Sequence, residues 1–194
     1  MIKKCFILFL VVGLVGCNKN QSPTEESGEG YFSIAQLLEE QIGLLLSLDA
    51  ALEKRVITGD ISETLELKPK DSTEWKTQLQ LFLDADISKP GYAGTYLVEE
   101  LPLISTLSKT VYSANQKKNS LRIMECTYQG DLLKEIRLEL SKNNEVFDFD
   151  QELFLYFNLE SGKSRLSSFS IKGNESMKLK SDLSFEVKAT IVVP

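Results

Sequence analysis

Three acidic side chains, spaced two residues apart, could together bind a cation. Asp148, Asp150 and Glu152 lie on one face if this stretch is a β-strand. Carboxylate oxygens bind divalent cations, and like charges this close repel unless a cation or a basic neighbour offsets them. A solvated face with lysines on the neighbouring strands is the favoured interpretation, and a weak cation site is the alternative. The sequence thus predicts no metal centre and no cofactor.

Two further stretches match part of a ligand-binding loop motif but lack other residues that the motif requires. Gly162-Lys163-Ser164 matches the end of a phosphate-binding loop, but Phe157 stands where the first glycine is required. We expect a hairpin turn there. The acids Asp84 and Asp86 imitate the start of a calcium loop whose later glycine and glutamate are missing. We expect them at the solvated end of a helix, with a role in recognition as the alternative.

The residues of nucleophilic catalysis are scarce. The chain contains no histidine, so Ser-His and Cys-His pairs are excluded and the commonest general base is missing. Of the three cysteines, Cys126 lies in a strand pattern without an activating partner and is expected to be inert. The sequence therefore predicts a protein that is not an enzyme.

The N-terminal region carries a clearer signal. Lys3 and Lys4 precede an apolar run, which at about eleven residues and ~16 Å is too short to span a ~30 Å hydrocarbon core. The run ends in Leu14-Val15-Gly16-Cys17, which resembles the lipobox of bacterial lipoproteins. The resemblance implies that Leu14 and Gly16 are recognised by the lipoprotein signal peptidase. It also implies that Cys17 becomes the first residue and carries a diacylglycerol and an amide-linked acyl chain such as palmitate.

These features define three segments: a signal peptide (1–16), a lipidated cysteine with a disordered tether (17–30) and one domain (31–194). Residues 18–30 contain no large apolar side chain and span about 20 Å as a flexible chain. By resemblance to other lipoproteins, Asn18 favours the outer membrane, with the domain facing the periplasm and the cell surface as an alternative. The membrane is then the first partner.

Charge excludes one class of partner. Removal of residues 1–16 takes away two of 22 basic residues and none of 28 acidic ones, so the net charge changes from −6 to −8. An acidic chain without a basic cluster is unsuited to nucleic acid. One remaining cysteine also excludes a disulfide within the mature chain.

Hydrophobic periodicity predicts the elements that carry these residues. An apolar stripe with Ser33 as its cap predicts a helix over 34–53, and Asp71 begins a second one over 72–87. A hairpin is predicted over 54–68. Alternation of period two predicts strands at 95–100, 106–113, 121–128, 132–141, 147–159 and 179–193. Arg165–Gly173 lies between the last two, and Lys172–Glu175 is predicted to form a turn. The predicted fold is α+β: two N-terminal helices packed on a long, coiled antiparallel meander, with a half-barrel as one outcome.

Three stretches also resemble an uncharacterised lipoprotein family of Bacteroidota. They are Trp75–Tyr96, Cys126–Leu140 and Phe169–Gly173. The family has no assigned activity, so the resemblance implies a lipoprotein and no site residues.

The run Leu153–Leu159 is apolar at almost every position. Either this is a central strand covered on both sides, or Phe154 and Tyr156 line an apolar ligand groove. Two functions follow. The first is a tethered module that binds an envelope protein or a glycan, and the second is a carrier or sensor of an apolar ligand in a half-barrel groove. An enclosed apolar cavity would favour the second.

Overall fold

One antiparallel sheet of nine strands forms the frame of the molecule, in the order β2-β1-β9-β8-β7-β6-β5-β4-β3. The computed structural model describes residues 30–104, 106–143, 147–177 and 180–194. The predicted signal peptide, the lipobox residues Leu14, Gly16 and Cys17, and the tether up to residue 29 lie outside this range. Within it, no helix is long and apolar enough to cross a membrane.

The helices and strands have the following bounds. They are α1 (Ile34–Ser47), β1 (Ala51–Thr58), β2 (Ile61–Leu67), α2 (Ser72–Gln78), α3 (Gln80–Asp84), a 3₁₀ turn (Pro90–Tyr92), β3 (Tyr96–Pro102), β4 (Leu107–Ala114), β5 (Leu121–Gln129), β6 (Leu132–Asn143), β7 (Phe147–Glu160), β8 (Lys163–Met177) and β9 (Lys180–Val192). Most strands lie close to their predicted positions, and Gly59-Asp60 forms the turn of the β1–β2 hairpin. The turn predicted at Lys172–Glu175 is wrong, because β8 runs through these residues and pairs with both β7 and β9 there.

The predicted α+β fold is wrong. The protein is mostly β, with 57% of its structure in strands and 19% helical, and its three helices are short. The helices do not precede the sheet as a packed pair, because the β1–β2 hairpin lies between them in the chain. Strand β1 pairs with β9, from Ala51 opposite Val192 to Thr58 opposite Phe185. The predicted meander therefore covers only β3 to β9.

Both predicted helices are too long, for local reasons. The first ends at Ser47, and Asp49 takes the left-handed conformation at φ 51°, after which the chain becomes β1. The second is divided at Leu79 into α2 and α3 and ends at Asp84. Pairing with β9 overrides the helical pattern that continues through Leu52.

The sheet has one face under the helices and one open face. On the helix-covered face, alternate residues of every central strand join α1, α2 and α3 in a single buried core. The ring of Phe82 on α3 meets Phe169 on β8 edge to face, at 5.8 Å between centroids. The open face carries the intervening residues, and no helix covers it within the described residues.

Two polar ties hold α1 in place. The side chain of Gln41 accepts a hydrogen bond from the Leu166 amide at 2.7 Å and donates one to the Ser164 carbonyl at 3.1 Å. These groups lie next to an irregularity in the β7–β8 ladder, so the helix satisfies backbone atoms there. At its other end, Ser33 caps the helix and accepts a hydrogen bond from the Gln36 amide.

Candidate functional site

A groove with a volume of about 660 Å³ crosses the open face from β1 over β9, β8, β7 and β6 to β5. Its charged lining comprises Arg122, Arg137 and Lys172 together with Glu139, Asp150, Glu152 and Glu186. Ser141, Asn174 and Ser184 add neutral hydrogen-bonding groups. The volume falls within the range of ligand pockets, but the lining is far more charged than that of a site for apolar molecules.

Strand register brings these residues together. Glu139, Glu152, Lys172 and Glu186 are successive partners across β6, β7, β8 and β9 and form one row across the open face. In each of these strands the neighbouring residue points to the other face, as Gln151 does between Asp150 and Glu152. A polar-apolar alternation in sequence thus becomes a charged groove on one face and a core on the other.

Arg137 is the centre of the charged network. Its guanidinium lies 2.6 Å from a Glu139 oxygen, 2.7 Å from Glu152 and 3.6 Å from Glu125. The hydrogen bond to Glu152 raises the pKa of Arg137, and the nearby carboxylates add to this against the opposing effect of partial burial. Lys109 also contacts Glu125, at 3.0 Å. Arg137 thus contacts all three carboxylates, those of Glu125, Glu139 and Glu152, and reduces the repulsion among them.

Phe154 and Tyr156 lie on the open face, beside this network. The guanidinium carbon of Arg137 is 5.9 Å from the centre of the Phe154 ring. The two rings are stacked, with centroids 5.9 Å apart and an angle of 1° between their planes. Tyr156 is 36% exposed, and its pKa is raised by burial and by Glu135. Arg137, Phe154 and Tyr156 therefore form a stack on the open face, beside the charged groove.

The three acids Asp148, Asp150 and Glu152 have different neighbours on the adjacent strands. Glu152 pairs with Arg137, while Asp150 lines the groove opposite Ser141 and Asn174, and Asp148 lies opposite Asn143 and Ser176. A basic side chain on a neighbouring strand thus offsets one of the three charges, as the favoured interpretation expects. Among the described residues, no three Cys, Asp or Glu side chains form a metal-binding group.

The two partial matches to ligand-binding loops, at Gly162–Ser164 and at Asp84 and Asp86, have structural roles. Lys163 follows a two-residue hairpin turn in which Ser161 and Gly162 both take positive φ, which confirms the predicted hairpin.

Asp86 was predicted to be solvated, but this prediction is wrong because the side chain is buried. It accepts hydrogen bonds from the Ile34 amide at 3.1 Å and from the Ser88 hydroxyl at 2.8 Å. It therefore joins the loop after α3 to the N-terminus of α1, where the helix dipole favours a carboxylate.

Cys126 faces the core and is fully buried. Burial raises the pKa of its thiol to about 12, against a smaller lowering by Tyr128. The thiol therefore remains protonated and unreactive at neutral pH, as the sequence predicts.

The Arg137 network was not predicted, although the sequence holds its signal. Glu135, Arg137 and Glu139 alternate with Ile136 and Leu138, which places all three charges on the polar face of one strand. Their partners Glu125 and Glu152 come from strands whose order is invisible in the sequence. Compared with known protein families, curated proteins and solved structures, the chain has no significant match. The resemblance to a Bacteroidota lipoprotein family thus stays a prediction.

Proposed function

We propose that this chain is a lipid-anchored envelope lipoprotein whose domain is a binding module, and that the open face of the sheet receives a partner protein. The observation that carries the proposal is the combination of the charged groove with the stack of Arg137, Phe154 and Tyr156 beside it. Arginine and tyrosine are enriched at the energetic centres of protein interfaces. Charged groups of both signs around them favour a partner with complementary charges.

The apolar-carrier alternative receives less support from this face. A carrier needs a cavity whose walls are mainly apolar. The groove instead has seven ionisable side chains in its lining, and removing them from water beneath an apolar ligand would be unfavourable.

Site-specific photo-crosslinking in intact cells tests the binding face. A photoreactive residue at the exposed, groove-lining Asn174 should yield a discrete adduct, whereas the same residue at exposed Gln36 on α1 should not. Adding Lys172→Glu to the Asn174 probe should reduce the adduct several-fold, because it reverses a groove charge without burying one. Equal yields from both probe positions would contradict the proposal. Protease-resistant adducts that a glycosidase removes would replace the protein partner with a glycan.

The anchor is tested separately. Intact mass spectrometry of the membrane-extracted chain should show a protein that begins at Cys17 and carries acyl groups, because the lipobox implies both steps. The Cys17→Ser chain should lose the acyl mass and leave the detergent phase in Triton X-114 partitioning. A wild-type chain without acyl groups would refute the anchor and leave the binding face untouched.

A further inference from the structure

A second cavity lies on the helix-covered face and shares two lining residues, Leu140 and Gln151, with the charged groove. It has a volume of about 350 Å³ and lies between α3, the 3₁₀ turn and the adjoining parts of β5, β6 and β7. Its apolar wall includes Tyr92, Leu121, Leu140 and Phe149. Asp84 and Lys142 are exposed at its mouth. The helices therefore leave one end of the core face uncovered, and the space that remains suits a small molecule.

One buried polar side chain in this cavity has no partner. Gln151 is 7% exposed, lines the cavity and makes no hydrogen bond with any residue that the structure describes. Other large buried polar side chains do have partners: Gln41 bonds to the β8 backbone, Asp86 to Ile34, and Asn119 to Thr95. Unlike Ser72 Oγ and Trp75 Nε1, which are buried without a hydrogen bond, the amide atoms of Gln151 are not sealed from the space of the cavity, so they are available to bond to a molecule there.

Strand alternation directs the Gln151 side chain to this cavity. Gln151 shares the helix-covered face of β7 with Leu153 and Leu155, and its cross-strand neighbours are Leu140 on β6 and Gly173 on β8. Gly173 has no side chain of its own, and the Phe185 ring from β9 packs over it. Neither neighbour offers a side-chain donor or acceptor to the amide. The carboxamide can therefore bond to a molecule that enters the cavity.

We infer that this cavity binds a small molecule with an apolar body and an uncharged amide, carbonyl or hydroxyl group. The apolar wall takes the body, and Gln151 supplies both a donor and an acceptor to the polar group. The mouth carries one acid and one base, so it selects neither sign of charge. A charged group at the buried Gln151 would lose its hydration without gaining an opposite charge. The inference does not depend on the proposed function of the open face.

Three isosteric probes test the inference: pentanamide, pentanoate and pentylamine. The full-length chain is held in lipid nanodiscs, and saturation-transfer difference NMR reports contact with each probe after subtraction of empty nanodiscs. We expect a clear signal for pentanamide and signals at least threefold weaker for the two charged probes. Equal signals for all three, or none above the empty discs, would overturn the inference.

A matched pair of variants ties the signal to the residue. Gln151→Leu keeps the size of the side chain and removes its polar group, so the pentanamide signal should fall at least threefold. Its melting temperature should be unchanged or higher, because the Gln151 amide makes no hydrogen bond that the variant would lose. Gln129→Leu, at an exposed position near the end of β5, should leave the signal unchanged. A pentanamide signal that survives Gln151→Leu in a folded protein would refute the site.

Discussion

On β7, neighbouring side chains experience opposite surroundings. Leu153 and Leu155 are fully buried under the helices, whereas Phe154 and Tyr156, one residue away, lie on the open face. The helix-covered face is stabilised by apolar packing, with few polar contacts. The open face is stabilised by a network around Arg137 in which each charge remains partly in water. One sheet therefore combines a packed core with a surface that can exchange its hydrogen bonds for those of a partner.

The largest expected difference between the faces comes from removing a ring on each. Phe169→Ala deletes a buried ring in contact with Phe82 and should lower the free energy of unfolding by about 3–5 kcal/mol. Phe154→Ala on the open face should lower it by about 1 kcal/mol, because water already reaches that ring. Chemical denaturation of both variants measures the difference. Equal losses would mean that the open face is also a packed interior.

A pair of acids gives a smaller effect. Asp86→Ala removes the acceptor of the Ile34 amide and the Ser88 hydroxyl, and should destabilise the protein by about 1–3 kcal/mol. Asp84→Ala, two residues earlier and exposed, should change stability by less than about 0.5 kcal/mol. Thermal melts followed by circular dichroism compare the two. A larger loss for Asp84→Ala would refute the role given to Asp86.

The smallest effect belongs to the charged network. Arg137→Gln leaves Glu125, Glu139 and Glu152 without their shared cation, yet the stability loss should be at most about 1 kcal/mol because the group is partly solvated. The loss should shrink in 1 M salt, where repulsion among the acids is screened. Urea titrations at low and high salt measure this. A loss that does not change with salt would show that Arg137 acts mainly by packing on Phe154.

These pairs also show which features the sequence determines locally. Strand positions could be predicted because apolar-polar alternation is a property of consecutive residues. The turn at Ser161-Gly162 could be predicted because serine and glycine are common turn residues. The predicted α+β class failed at one place above all, the segment after Ser47. Leu52 continues the apolar stripe of a helix as well as it fills a strand, and only the distant β9 decides between them.

The candidate sites divide in the same way. The charges of β6 and β7 could be assigned to a polar face from their spacing, but the convergence of Glu125 and Glu152 on Arg137 depends on strand order. Gln151 is visible in sequence as the single polar member of an otherwise apolar alternate series, from Phe149 to Leu155. That irregularity is a local signal of a polar group on the core face. The cavity beside it depends on where α3 ends, which no local pattern specified.

The pairing of β1 with β9 has a consequence for how this protein acquires its structure. The β1–β2 hairpin is synthesised before the strand with which it pairs, because β3 to β8 lie between β1 and β9 in the chain. Contacts so distant in sequence close large loops, and such closures slow folding. The hairpin, with the exposed apolar side chains of Ile61 and Leu65 on its outer strand, joins the sheet only after β9 has been made. A chain folding from its N-terminus thus leaves this hairpin without its neighbouring strand until residues 180–192 have been synthesised.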